Sequence, residues 1–330
     1  EIRLSLVGSE MCIRDRQMVI LLFVQTFLYF QIEMVNKELK NAMIRKMKIN
    51  IDTITRAGKE LIGNIIRTPS IRSQHLSSEI NGEVFLKLEN LQYTSSFKVR
   101  GAYTSITRLK KEQKKMGVIA MSAGNHAQAV AWWAKKERVN ATIVMPEHAP
   151  LFKVMKTKSL GADVILRGRT LNESQTYVSE LVNDKKLTLI HPYDDSNVVI
   201  GQGTLGLEFM GDVKDLDLLV IPIGGGGLIS GISIVAKALN PSIKIYGVQT
   251  EKFPSMYNVL HKKELAILGD TLADGIAVKR PGKITSKIIK DHVDDILLIN
   301  EFEVEKAISS LFENERIVAE GAGAAGVAAI

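Results

Sequence analysis

Between Ser95 and Tyr103 the chain reads SSFKVRGAY, which sets a primary amine, Lys98, between Phe97 and Val99 at the expected opening of a helix. The positive end of a helix and apolar neighbours both disfavour an ammonium ion, so the pKa of Lys98 should fall. A neutral lysine is a nucleophile that can form a Schiff base with an aldehyde. A second stretch, IPIGGGGLISG from Ile221 to Gly231, runs an apolar strand into four glycines and then an apolar helix. Backbone without side chains lets several N–H groups converge, and the helix start adds partial positive charge, which suits an anion such as a phosphate. No register of these glycines gives G-x-G-x-x-G, and the Lys-Ser/Thr ending of a nucleotide-binding P-loop is missing. A third stretch, MSAGNHAQAVAWWAKK from Met121 to Lys136, is a strand, a small-residue turn and a helix. Its Ser122, Gly124, Asn125 and His126 can offer N–H groups to a carboxylate and a side-chain amide to a polar ring substituent.

Each stretch also has a plainer meaning. A lysine at a helix start commonly lays its stem over apolar surface with its charge in water. The glycines could form a tight turn that lets backbones pack closely. Asn125 could be only the N-cap of its helix, and His126 a satisfied structural histidine. Trp132 and Trp133 are assigned to packing and solvent shielding, because adjacent helix positions do not share a face. What favours chemistry is the combination of an amine, an anion nest and an amide-bearing loop in one body. The aldehyde cofactor that also carries a phosphate is pyridoxal phosphate.

Such groups need a scaffold, and from Ile51 onward the pattern supplies one. Short β-branched runs at 83–88, 117–121, 141–145, 163–166, 187–190, 217–223, 244–249 and 295–300 alternate with longer segments of helical apolar spacing. Runs apolar throughout, joined by helix-length connections, imply an α/β fold of parallel strands covered on both faces. Ligands in such folds bind beyond the carboxyl ends of the strands. All three stretches fall at strand or helix ends.

At 330 residues, 45% of them hydrophobic, the chain can bury a large core in one big domain or two moderate ones. Its 43 Lys and Arg exceed 36 Asp and Glu for a net +7, but the basic residues alternate with acids. That pattern implies solvated faces and no nucleic-acid track. Cys12 is the only cysteine, which excludes an internal disulfide framework, a cysteine zinc site and a thiol nucleophile in the folded body, and fits a reducing cytoplasm. The apolar run Met18 to Phe30 is 13 residues long, short of the roughly 20 that span a bilayer, and no cleavage-site pattern follows it. No membrane role is expected. The opening SLVGSEMCIRDR resembles translated adapter sequence, so residues 1–50 are taken as a non-native or poorly ordered extension, with a natural start at Met34, Met43 or Met47 and an amphipathic helix as the alternative.

SSFKVRGA, SAGNHAQ, GGGGLISG, TLADGIAV with RPG soon after, VDDILLINEFEV and VAEGAGA resemble, in order and spacing, the catalytic domain of pyridoxal-phosphate-dependent threonine dehydratases of the fold type II (tryptophan synthase β-like) family. The likeness covers about residues 51–330. It implies two open, twisted, mostly parallel sheets flanked by helices, with the cofactor in the cleft between a large domain (51–93 and 196–330) and a small one (94–195). It implies that Lys98 carries pyridoxal 5'-phosphate covalently beside Phe97, and that the backbone of Gly224, Gly225, Gly226, Gly227 and Leu228 cradles its phosphate. It implies further that Asn125 meets the ring hydroxyl and that the turn Ser122, Ala123, Gly124, Asn125 and His126 receives the substrate carboxylate. The activity implied is threonine ammonia-lyase: elimination from L-threonine, and L-serine, to 2-oxobutanoate, or pyruvate, and ammonia. Lys98 would act as general base and the cofactor phosphate as proton donor to the leaving hydroxyl. A cytoplasmic homodimer or homotetramer serving amino-acid metabolism, isoleucine biosynthesis included, completes the expectation.

Three departures bear on it. The family's ring-nitrogen partner and any regulatory domain lie beyond Ile330. Some relatives have a divalent-cation site starting with an acid where this chain has Gln249, so no metal is expected. Racemases of the fold place a serine where this chain has Ala123, and lacking that acid, elimination should win over inversion. The rival readings are a serine or aspartate racemase, a β-replacement synthase of the same fold, and a non-catalytic phosphate binder.

Overall fold

The computed structural model describes residues 49–169 and 171–330. Cys12, the apolar run 18–30 and the candidate starts Met34, Met43 and Met47 lie outside the described residues. The strands are β1 (Ser70–Ser73), β2 (Val84–Lys87), β3 (Val118–Met121), β4 (Ala141–Met145), β5 (Asp163–Leu166), β6 (Thr188–Leu189), β7 (Leu218–Pro222), β8 (Lys244–Thr250) and β9 (Asp295–Ile299). Between them run helices α1 (Ile51–Leu61), α2 (Gln74–Glu79), α3 (Lys98–Thr107), α4 (Lys111–Met116), α5 (Asn125–Lys136), α6 (Leu151–Ser159) and α7 (Leu171–Lys185). The second half adds α8 (Ser196–Asp212), α9 (Gly227–Leu239), α10 (Ser255–His261), α11 (Lys283–His292), α12 (Glu301–Glu315) and α13 (Gly321–Ala328).

Two parallel sheets form, one ordered β5-β4-β3-β6 and one ordered β7-β8-β9. All eight expected strands are present, but β2 belongs to neither sheet. It pairs antiparallel with β1, whose sequence SIRS is too short and too polar to read as a strand. At its start the described body reaches back past Ile51, because Asn50 caps α1 in a reciprocal box with Thr53. Each parallel sheet has its own core. Val118, Ala120 and Ile143 meet Ala127, Val130, Ala131 and Ala134 of α5 in the first. Ile221, Ile223, Ile245 and Ile296 meet Ile229 and Ile232 of α9 in the second. Trp133 is buried edge-on to Tyr103, whereas Trp132 stacks on Tyr93, so both tryptophans pack as expected.

The two cores are joined by helices packed nearly backbone to backbone. A Cβ on Gly201 of α8 would stand 2.5 Å from the carbonyl oxygen of Arg100 and 2.6 Å from Cα of Gly101, both in α3. On the other side of α8, a Cβ on Gly231 of α9 would stand 2.4 Å from the nitrogen of Gly203. Only glycine permits these approaches, so α3, α8 and α9 form one tight stack. The fully buried guanidinium of Arg100 locks α3 further, donating to both oxygens of Glu89 and both of Glu208. Burial alone would raise the pKa of Glu208, but hydrogen bonds and charge from Arg100 and Lys87 hold it low.

Two glycines of α8 should respond oppositely to alanine. Gly201→Ala should cost about 1–3 kcal/mol or more, because backbone atoms must separate. At Gly211 nothing lies within 4 Å of an added Cβ, so Gly211→Ala should stabilise by about 0.5–1 kcal/mol. Urea unfolding of both variants measures the difference, and equal effects would contradict the close-packed stack.

Candidate active site

Lys98 is the first residue of α3, with Phe97 before it in helical conformation and no side chain capping the first N–H groups. The chain enters this turn through Thr94 and Ser95, with φ of 59° and 58°. Nζ of Lys98 donates to the carbonyl oxygen of Pro192 at 2.9 Å and lies 5.3 Å from the centre of the Phe97 ring. Burial lowers the amine's pKa to about 8, against a weaker opposing pull from Glu320. The sequence expectation of a depressed lysine therefore holds, with desolvation as the main cause.

The same cleft is lined by Phe97, Ser122 to His126, Gly224 to Gly227 and Leu228. The ladder of β7 ends with Ile223, whose N–H donates to Val248. Past it, no group among the described residues accepts from the N–H groups of Gly224 through Leu228. Gly226, left-handed at φ 95°, is the N-cap of α9. A row of free donors at a helix start is suited to an anion. The packing reading holds on the loop's other side, where a Cβ at Gly225 would lie 2.2 Å from the Tyr193 ring. One loop thus presents a packed face and a donor face.

The turn before α5 divides its work. The N–H of Ser122 donates to Val144 and that of Gly124 to Oγ of Ser122. The N–H groups of Ala123, Asn125 and His126 remain without an acceptor among the described residues. Asn125 is not the N-cap of its helix, since Gly124 holds that position. Its amide instead donates to Oε1 of Glu320 at 2.7 Å. The His126 ring is buried, its Nε2 is 2.8 Å from the carbonyl oxygen of Ile190, and burial pushes its pKa down to about 3. Its side chain is held by the surrounding fold, and its backbone N–H is the part left unpaired. Ala123 is partly buried against the first core and offers the cleft no hydroxyl. Gln249 is fully buried and committed to backbone, donating to Ile223 and accepting from Met256 and Tyr257.

Sequence reading missed two contributors. Glu320 lies in the quoted VAEGAGA, and burial followed by the charge of Asp274 raises its pKa. The other is HPYDDS, the loop from β6 to α8. Pro192 accepts from Lys98, the Tyr193 ring covers Gly225, and Asp194 and Asp195 each cap a helix. An aspartate just before the apolar run of α8 was the available signal.

Comparison with known proteins places the chain among relatives. The family model described as pyridoxal-phosphate dependent enzyme matches residues 61–330. The L-threonine ammonia-lyase of Thermotoga maritima is 47% identical over 284 residues, covering 86% of this chain and 71% of that protein. The L-threonine dehydratase catabolic TdcB of Staphylococcus aureus is 47% identical over 285 residues, 86% of this chain and 82% of that protein. Among solved structures, serine racemase from Dictyostelium discoideum superposes with a TM-score of 0.80 at 35% identity, covering 85% of this chain and 91% of that one. Threonine deaminase from Solanum lycopersicum gives 0.79 at 34%, covering 85% and 79%. The chain belongs to the pyridoxal-phosphate-dependent enzyme family, with the fold type II architecture.

Proposed function

We propose that the chain is an L-threonine ammonia-lyase, converting L-threonine, and L-serine as a second substrate, to a 2-oxo acid and ammonia. The observation that carries this reading is the desolvated amine of Lys98, with a pKa of about 8, in one cleft with the unpaired donors of the glycine loop. The residues fit pyridoxal phosphate: the amine suits its aldehyde, and the free N–H groups of Gly224 to Leu228 suit its phosphate. When bound, that cofactor supplies an electron-withdrawing ring that lowers the cost of removing the substrate's α-proton.

The chain's own residues do the rest. Lys98 would hold the cofactor by its aldehyde, and the free Nζ would be the base for the substrate's α-proton. The N–H groups of Ala123, Asn125 and His126 at the start of α5 bind the substrate carboxylate, favoured by the positive helix end. Asn125, already held by Glu320, would offer its remaining amide capacity to the ring hydroxyl. The division into a small domain (94–195) and a large one (51–93 and 196–330) belongs to the same reading, supported by a separate core under each sheet. So do cytoplasmic residence, supported by the single cysteine, and assembly as a homodimer or homotetramer, supported by exposed apolar residues such as Phe302 and Phe312. No helix among the described residues is long and apolar enough to cross a membrane.

Ala123 favours elimination over racemisation. Inversion needs an acid that returns a proton to the α-carbon from the side opposite Lys98, and alanine has none to give. Incubated with L-threonine or L-serine, the protein should release 2-oxo acid and ammonia with little D-amino acid. Ala123→Ser should raise the racemised fraction. A keto-acid assay run beside chiral chromatography measures both branches. D-serine accumulating as fast as pyruvate in the unmodified protein would replace this reading with the racemase one.

A further inference from the structure

The glycine loop has a support that does not line the cleft. Thr285, fully buried in the first turn of α11, donates its hydroxyl to the carbonyl oxygen of Gly225 at 2.7 Å. The peptide joining Gly225 to Gly226 is planar and trans, so its carbonyl and its N–H point in opposite directions. Holding the carbonyl toward α11 therefore turns the N–H of Gly226 away from α11, where no group among the described residues accepts it. A glycine peptide has little steric resistance to flipping, and a flipped one would aim a carbonyl oxygen where the donor now points.

Thr285 is in turn held by Asp194. This carboxylate accepts from the N–H of Lys283 at 2.9 Å, of Ile284 at 2.8 Å and of Thr285 at 3.3 Å, so it caps α11 from the loop that follows β6. It comes this close because Gly282 precedes α11: a Cβ there would lie 2.4 Å from Oδ1 of Asp194. The loop also brings Pro192 to Nζ of Lys98 and sends the hydroxyl of Tyr193 to the carbonyl oxygen of Arg280 at 2.9 Å. The RPGKIT segment and the HPYDD loop are thus clamped together beside the glycine loop.

We infer that Thr285 is a positioning residue for the anion site: its hydroxyl sets the orientation of the Gly225–Gly226 peptide, and Asp194 holds Thr285 in place. The inference rests on the glycine loop receiving the cofactor phosphate. Its test compares pyridoxal phosphate with pyridoxal, which lacks the phosphate, by equilibrium dialysis against the full chain. Thr285→Val keeps the shape and removes the donor, so affinity for pyridoxal phosphate should fall roughly tenfold, the size of one lost buried hydrogen bond, with pyridoxal affinity unchanged. Thr285→Ser keeps the donor and should restore the phosphate preference. A general loosening of the fold would weaken both compounds alike and would overturn the inference, as would a Thr285→Val protein with its preference intact. If the unmodified protein binds both compounds equally, the phosphate reading of the glycine loop itself fails.

Discussion

The separation between an amine and an anion site is set here by helices that touch through glycines. Gly201 lets α8 lie against the backbone of α3, and Gly231 lets α9 lie against α8. The first of these helices begins with Lys98 and the last begins at the glycine loop, so the stack fixes two helix starts relative to one another. Side chains larger than hydrogen at these contacts would have to force backbone apart. Arg100, two residues from Lys98, adds a charged anchor with no freedom to rotate, because both its carboxylate partners hold it from fixed elements. The loops that complete the site are thus added to a rigid helical frame.

Within that frame the electrostatics follow from burial. Desolvation takes the pKa of Lys98 down, takes His126 down and, with help from Asp274, takes Glu320 up. All three shifts favour neutral forms, although Glu320 stands exposed at the surface of the cleft and Lys98 is half-buried. Glu320 tempers the effect on Lys98, which keeps the amine's pKa near 8. A lysine in that range serves both as nucleophile and as base. His191 also has a lowered pKa, again from burial, and its Nδ1 accepts from the N–H of Asp194, which fixes the tip of the HPYDD loop. The histidines next to the amine are thus committed to backbone groups.

Much of this was legible in the sequence because it is local. Strands such as ATIVM and DVIL announce themselves by β-branched runs, and they form at the expected residues. Lys98 and the glycine loop stood out because a lysine at a helix start and a run of glycines after a strand are recognisable from their immediate neighbours, although their partners in space are distant. What escaped was set by contacts between distant segments. β1 is a strand only because β2 pairs with it. Asn125 reads as a cap, yet its amide goes to Glu320, 195 positions away. Thr285 and Asp194 gain meaning only once α11 lies against the glycine loop. The glycine contacts between α3, α8 and α9 are likewise invisible until the helices are placed, since nothing local separates Gly201 from Gly211.

The account depends most on Lys98 being a desolvated, reactive amine, and trapping it tests that directly. The full chain would be incubated with pyridoxal phosphate across a pH series, reduced with borohydride and mapped by peptide mass. Label should appear on Lys98, with a yield that rises as the amine loses its proton, through a midpoint near pH 8. Label on another lysine, or a midpoint near the ordinary lysine value of about 10.4, would contradict it.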